Sequence, residues 1–544
     1  MALATAFLTP WAFAAQPPDA GQLLESIKPV PELRPDAAPA LPEALPARPT
    51  MALPADVKVF VRHFRISGAR AFSGQDLLAL LQDAEGREWR LADLQGLADR
   101  ITRHYRDHGY LLAWAYIPAQ SIEDGTVEIA VLEGRLGRLA LENHSLLGDS
   151  AAARQLGGLR PGEAIQGPRL ERALLLLNDL PGVEVRSTLK PGASVGLTDL
   201  DVALAAGRPV DGNVTIDTFG DRFTGSLRAG ATLNLNSPAG WGDVLSLRGL
   251  TAGEGLSYGR VAYQVPVGAV GTRAGIAWSQ MRYELGKDFS ALQAHGDAEI
   301  ATVYLLQPLL RSRRTNLNAQ LTYEHKELDD RVDALATASR KKLDVWSLGL
   351  SGDQADGLGG GGISQYGASL VAGDLGLDPA SAALDGAGLR TRGDYTKVAY
   401  QAMRLQRFTD SLHLKGQLSG QSAQKNLDSS EKLSLGGAYG VRAYPQGEAA
   451  SDDAWLLNLE LRYAPAPAWQ LIGFYDAASG RISHERLPGT SRNSRWLSGA
   501  GVGMTWSQAA DLSFQAFAAW RTAAGPQSDN DRSPRFWLQG VKHF

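Results

Sequence analysis

The 544-residue chain contains no cysteine, which excludes disulfides, thiolate metal centres and a cysteine nucleophile. It also lacks any run approaching the roughly 18 apolar residues that a membrane-spanning helix needs. The longest uninterrupted stretch is Tyr110 to Ile117. Basic charge is not in excess: 54 Lys and Arg stand against 58 Asp and Glu, for a net charge of −4. With a pI near 6.2, there is no electrostatic case for a nucleic-acid partner. Catalytic and metal signatures are incomplete. The glycine run Gly359 to Gly362 lacks the Lys-Ser/Thr of a phosphate loop, and no His-Glu-x-x-His occurs. His104 and His108 share a predicted helix face without a third ligand nearby, and a solvated helix accounts for them. The acidic pairs Glu123–Asp124 and Asp329–Asp330 read as solvated turn residues. The expectation is a protein that is no enzyme, with no catalytic residue, no metal and no cofactor.

What the chain does have is glycine, 60 residues of it, a charged fraction of only 21% and a mean hydropathy of −0.17. A β-barrel fits these values, because its strands hide half their side chains in a polar lumen. Residues 1–15 are small and apolar and end in Ala12-Phe13-Ala14, which resembles a signal-peptide cleavage site. No Lys or Arg precedes Lys28, so the basic start of such a signal is missing and the segment reads as a shortened one. Residues 16–28 contain QLLESIK, two turns of amphipathic helix with Leu23, Leu24 and Ile27 on one side. Eight prolines follow between Pro29 and Pro54. Residues 29–56 therefore predict an extended linker with a reach of up to roughly 80 Å.

Residues 57–207 alternate strand and helix patterns in the order β-α-α-β-β, twice. In the first round FVRHFRISG reads as a strand, Phe72–Gln82 and Leu91–His108 as helices, and LLAWAYIP and TVEIAVLEG as strands. The second round runs from RLALENHSLL to TDLDVALAAG, a repeat of pattern rather than identity. This layout resembles tandem POTRA domains, the periplasmic modules of outer-membrane protein transporters, at 57–134 and 135–207. The sharpest stretch is Tyr105 to Leu136, where the Y-x3-GY, P-x-Q-x-I-x-D-G and V-x-EG elements stand at the family's spacing.

From residue 208 to the end the period is two. In Ala454–Tyr463, Trp455, Leu457, Leu459, Leu461 and Tyr463 oppose Asn458, Glu460 and Arg462. Gaps between strands alternate short and long, aromatics gather at strand ends, and the chain stops on a strand whose last residue is Phe544, a usual assembly signal of bacterial barrels. The count is sixteen strands between 212 and 544, an even number that puts both ends of the barrel on the periplasmic side. The fold class is thus mainly β: a 16-stranded antiparallel transmembrane β-barrel at 208–544, preceded by two α+β domains and an N-terminal helix.

The longest outer gap, residues 423–453, carries Val441-Arg442-Ala443-Tyr444. This is similar to the VRG[YF] loop of the TpsB transporters of two-partner secretion, which export filamentous haemagglutinins and haemolysins. In that family the loop folds into the lumen and its arginine meets an acidic residue on the barrel wall. The wall motif here is Gly473-Phe474-Tyr475-Asp476, and alternation turns Phe474 and Asp476 inward. The family's glycine is Ala443, so a methyl has to fit at a point of close approach. The resemblance implies that Gln22–Lys28 is a plug helix and that the POTRA domains capture an unfolded TpsA-type exoprotein, a haemolysin or adhesin presented through its N-terminal secretion domain. It further implies a setting in outer-membrane lipid, placement by the barrel assembly machinery, and transport without nucleotide, driven by folding of the client outside. An insertase of the BamA kind is the alternative; a passive porin would have no use for the periplasmic domains.

Overall fold

The computed structural model describes residues 17–27, 58–122, 124–486, 493–508, 511–530 and 532–544. The expected signal segment 1–15, the linker 29–56 and Glu123 lie outside them. Residues 208–544 form a closed, all-antiparallel barrel of sixteen strands, from Val210–Asp217 to Arg535–His543. First and last strands pair from Asp217↔Gln539 to Asn213↔His543, and beyond that ladder the Phe544 N–H donates to the Gly212 carbonyl at 3.1 Å.

Strand ends inside the apolar band agree with the two-residue alternation. Four strands, Thr315–Val332, Thr337–Asp356, Gly362–Leu377 and Trp469–Arg481, run four or five residues further outward than the expected outer ends at 327, 342, 372 and 477. Above the membrane both faces are wet, so the backbone ladder continues with no change in side-chain polarity to mark it. Asp329 and Asp330, expected in a turn, consequently stand on a strand.

The first periplasmic unit departs from the sequence reading at Arg62. FVRHFRISG is two strands rather than one: Lys58–Val61 pairs with Arg87–Arg90, whereas His63–Ser67 runs parallel to Thr126–Leu132. The expected helix at 72–82 is a shorter one, Gly74–Ala79, capped by the Ser73 side chain and followed by a single 3-10 turn. The main sheet order, His63–Ser67 / Thr126–Leu132 / Trp114–Tyr116, recurs in the second unit as Arg135–His144 / Leu197–Ala206 / Val183–Pro191. The repeat is one of topology.

The signature residues of the first unit explain themselves physically. Tyr105, fully buried at the end of the long helix Leu91–Asp107, donates its hydroxyl to Glu133 at 3.1 Å. Glu133 also accepts the N–H groups of Arg70 and Ala71, each at 2.6 Å, and pairs with Arg135. Burial alone would raise this carboxyl; the Ala71 and Arg70 N–H groups, Tyr105 and Arg135 hold it below the usual carboxylate range. Gly134 has φ +68°, and a Cβ there would stand 2.4 Å from Leu112 Cβ, so no other residue fits. Gln120 exchanges two bonds with the Glu128 backbone, both 2.8 Å, its carboxamide standing in for a strand partner. The second unit is seated on the barrel's inner turns. Arg311 grips Asp179 with two bonds of 2.6 and 2.8 Å, and Arg172 reaches the Pro308 carbonyl at 2.7 Å.

Candidate functional site: a loop anchored across the lumen

The outer connection 424–452 does not stay outside. Its inner tip turns at Val441–Tyr444, where the Tyr444 N–H donates to the Val441 carbonyl at 3.0 Å. Val441, Ala443 and Tyr444 are almost wholly buried and pack with Phe474, Phe517 and Trp537 of the wall. On strand Trp469–Arg481 the residues Trp469, Leu471, Gly473 and Tyr475 face outward, while Ile472, Phe474 and Asp476 face the lumen.

Arg442 meets that inward face with its full set of donors. Nη2 and Nε reach Asp476 at 2.7 and 2.9 Å, its backbone N–H adds a third bond at 3.1 Å, and Nη1 reaches Glu460 at 2.8 Å. The guanidinium lies 3.6 Å from the centre of the Phe474 ring, a close cation–π stack. Trp537 closes the arrangement by donating its indole N–H to the Arg442 carbonyl at 2.7 Å. Arginine suits this place because a planar fork holds a carboxylate at two points and stacks on an aromatic face at once; lysine can do neither.

Three partners went unassigned at the level of sequence. Asn458 bridges Asp476 and the Gly440 carbonyl at 2.8 and 2.9 Å, and Glu460 shares its carboxylate between Arg442 and Arg462. Both had been legible as lumen-facing, and the register Asn458↔Asp476 and Glu460↔Phe474 brings them to the site. The third is Glu448, 1% exposed, which accepts from Arg495 and from the Gln527 and Ser528 backbone and ties the outer half of the loop to the neighbouring connection.

Ala443 is accommodated by a glycine opposite. A Cβ on Gly499 would stand 2.5 Å from the Ala443 methyl, so the wall has given up its side chain where the loop has gained one. Gly499→Ala should therefore loosen the loop and lower secretion. The double variant A443G/G499A should recover only part of it, because a Cβ at 499 also meets the Trp520 carbonyl at 2.9 Å. Full secretion by G499A would show that the contact is not tight.

The helix Ala20–Ile27 lies inside the barrel. Leu23, Leu24 and Ile27 are each no more than 7% exposed and pack on Met281, Leu328 and Leu343, apolar residues on the inward face. Asp19 caps the helix by accepting the Gln22 N–H at 3.0 Å, and Ala20 donates to Asp330 at 2.8 Å. Asp330, expected to be solvated, is thus a half-buried wall partner. Lys341 Nζ sits 3.1 Å from Asp19 and 3.0 Å from Asp428, joining helix, wall and loop. At the other end Arg228 and Arg248 donate to the Ser26 and Ile27 carbonyls, both at 3.1 Å.

Among the described residues nothing resembles a catalytic centre. Two stretches spell Gly-x-Ser-x-Gly, but Gly192–Gly196 is a turn between strands and Gly255–Gly259 enters a barrel strand, neither with the strand-to-helix elbow that exposes a nucleophile. Among the described residues no His, Asp or Glu cluster could hold a metal.

The family model described as haemolysin secretion/activation protein ShlB/FhaC/HecB matches residues 196–506, and a ShlB-type POTRA model matches 59–134. The heme/hemopexin transporter protein HuxB of Haemophilus influenzae (strain 86-028NP) is 29% identical, over 86% of this chain and 84% of its own. Among solved structures, CdiB from Escherichia coli aligns with a TM-score of 0.73 at 19% identity, covering 97% of this chain and 96% of its own. BamA from Haemophilus ducreyi lacking POTRA domains 1–3 aligns with a TM-score of 0.50 at 16% identity, over 89% and 100%, a likeness of fold alone.

Proposed function

The chain belongs to the haemolysin secretion/activation family ShlB/FhaC/HecB, outer-membrane transporters of two-partner secretion, and on that premise we propose a division of labour among its parts. The periplasmic pair captures its exoprotein unfolded, through the N-terminal secretion domain, by offering sheet edges to which an extended chain adds backbone hydrogen bonds. Residues 441–444 and the wall residues Gly473, Phe474 and Asp476 hold the long loop inside the pore and keep the transport path in shape. Leu23, Leu24 and Ile27 seat a plug that closes the pore at rest, and Phe544 presents the last strand to the barrel assembly machinery in the outer-membrane lipid.

The observation that carries this reading is the buried, doubly paired Arg442, whose bonds cross from an outer loop to the lumen wall. A closed barrel does not need that contact to stay closed, because its hydrogen bonds run strand to strand. A loop drawn that far in, at the desolvation cost of three charges, is built for the passage rather than for the shell. Purified full-length protein should retain the unfolded N-terminal segment of its exoprotein and not the folded exoprotein. Equal retention of both would sink capture of an extended chain.

A further inference from the structure

On the periplasmic side of the Arg442 loop the lumen opens into a cavity of about 450 Å³. Arg442, Asn458 and Glu460 border it, and its walls carry Gln365, Gln401, Gln417, Gln515 and Gln539. These glutamines stand near the inner turns of their strands: Gln365 close after Gly362, Gln417 close after Leu412, Gln515 close after Leu512 and Gln539 shortly before His543. Gln365, Met403, Gln417 and Asn458 are direct cross-strand neighbours in one row, and Gln515 faces Gln539 in another. Opposed residues of an antiparallel pair share a face, so Gln365 and Gln417 line the chamber on either side of Met403, and Gln515 lines it beside Gln539.

We infer that this chamber is a binding subsite for the backbone of an extended, low-charge polypeptide segment, an inference that rests on the transport reading above. The side-chain amides of these five glutamines make no hydrogen bond to another described residue, whereas amides elsewhere in the lumen are engaged. Gln421, for one, donates to the Glu431 and Asp452 carbonyls. The charges at the roof are largely spent on each other, Arg442 and Arg462 on Glu460 and Asp476; Lys415 adds a cation with no ion pair among the described residues.

A carboxamide is a peptide group on a stem, with donors and an acceptor and no charge. It can replace the water that a passing peptide group gives up, whatever side chains that peptide carries. A charged client side chain finds few countercharges there and loses its hydration for little return. The lining is therefore tolerant of sequence and selective against charge.

The test uses full-length protein in a planar lipid bilayer, with peptides of Gly, Ser, Asn and Thr added on the periplasmic side. Peptides of equal length rich in Lys or in Glu serve as controls. The neutral peptide should produce current blocks. The triple variant Q401M/Q417M/Q515M, close in length but without the amides, should shorten them about tenfold, a loss of about 1.4 kcal/mol summed over the three sites. The Gln→Asn triple should retain dwell times close to those of the unaltered protein. If the Met triple fails to assemble, as judged by heat-modifiable migration, Gln417→Met alone should still shorten the blocks measurably. Equal dwell times in the Met variants, charged peptides dwelling as long as neutral ones, or no block at all would overturn the subsite. Secretion of the exoprotein in cells is scored alongside. Loss of the block with secretion intact removes only the amide subsite, whereas loss of secretion by the unaltered protein would remove the transport reading with it.

Discussion

Arg442→Ala should all but abolish secretion while the barrel still assembles and keeps its heat-modifiable migration on gels. The substitution strands two carboxylates in the lumen, Asp476 completely desolvated and Glu460 left to Arg462. Truncating one member of a buried, hydrogen-bonded pair commonly costs about 3–5 kcal/mol, much of it the uncompensated charge. Loss of the Phe474 stack adds to that. Asp476→Ala should be milder, because Arg442 keeps its 2.8 Å bond to Glu460. The double variant should be no worse than Arg442→Ala alone, since both remove one contact set. Arg442→Lys should rescue poorly, a point charge being unable to satisfy two carboxylates and a ring together. Additive single effects, or normal secretion by either single variant, would show that the pair is not a unit and would move attention to Tyr444, whose hydroxyl donates to the Ala524 carbonyl at 2.7 Å.

Removing residues 17–27 should produce the largest change in conductance of any alteration to the chain. The helix buries three aliphatic side chains, worth roughly 1.5–3 kcal/mol each as an upper figure, and its ends are held by Lys341, Arg228 and Arg248. Single-channel recordings should show a larger and steadier pore. Lys341→Ala should give an intermediate result, frequent openings to the same large conductance, because it leaves Asp19, Asp330 and Asp428 facing one another without their shared cation. Conductance unchanged by the deletion would remove the plug assignment.

How much of this could be read beforehand depended on whether the determining interaction was periodic or crossed the molecule. Barrel strands announce themselves because lipid and lumen impose alternate polarity, and the inward direction of Phe474 and Asp476 followed from that rule alone. The same rule hid the seat of the helix Ala20–Ile27. Met281, Leu328 and Leu343 are apolar on the face expected to be polar, and only the docked helix gives them a reason. Asp330 was misplaced into a turn for a related cause, since above the membrane the strand carries no polarity signal. The break at Arg62 is set by which strand each half finds to pair with, a choice made tens of residues away. The fit of Ala443 to Gly499 is a contact between residues far apart in sequence, each unremarkable by itself.

The helix Ala20–Ile27 is also a ligand joined to its own receptor by the thirty residues 28–57. A tether of thirty residues holds it at an effective concentration of roughly millimolar order. A free peptide of the same sequence at micromolar concentration would compete at a disadvantage of about a thousandfold, by the same mass-action reasoning. Only something already inside the barrel, occupying the same apolar strip, can displace it. Once that occupant has passed, return of the helix is a first-order event whose rate is independent of how much protein the membrane holds. On the proposed plug reading, resealing needs no second component and no input of energy.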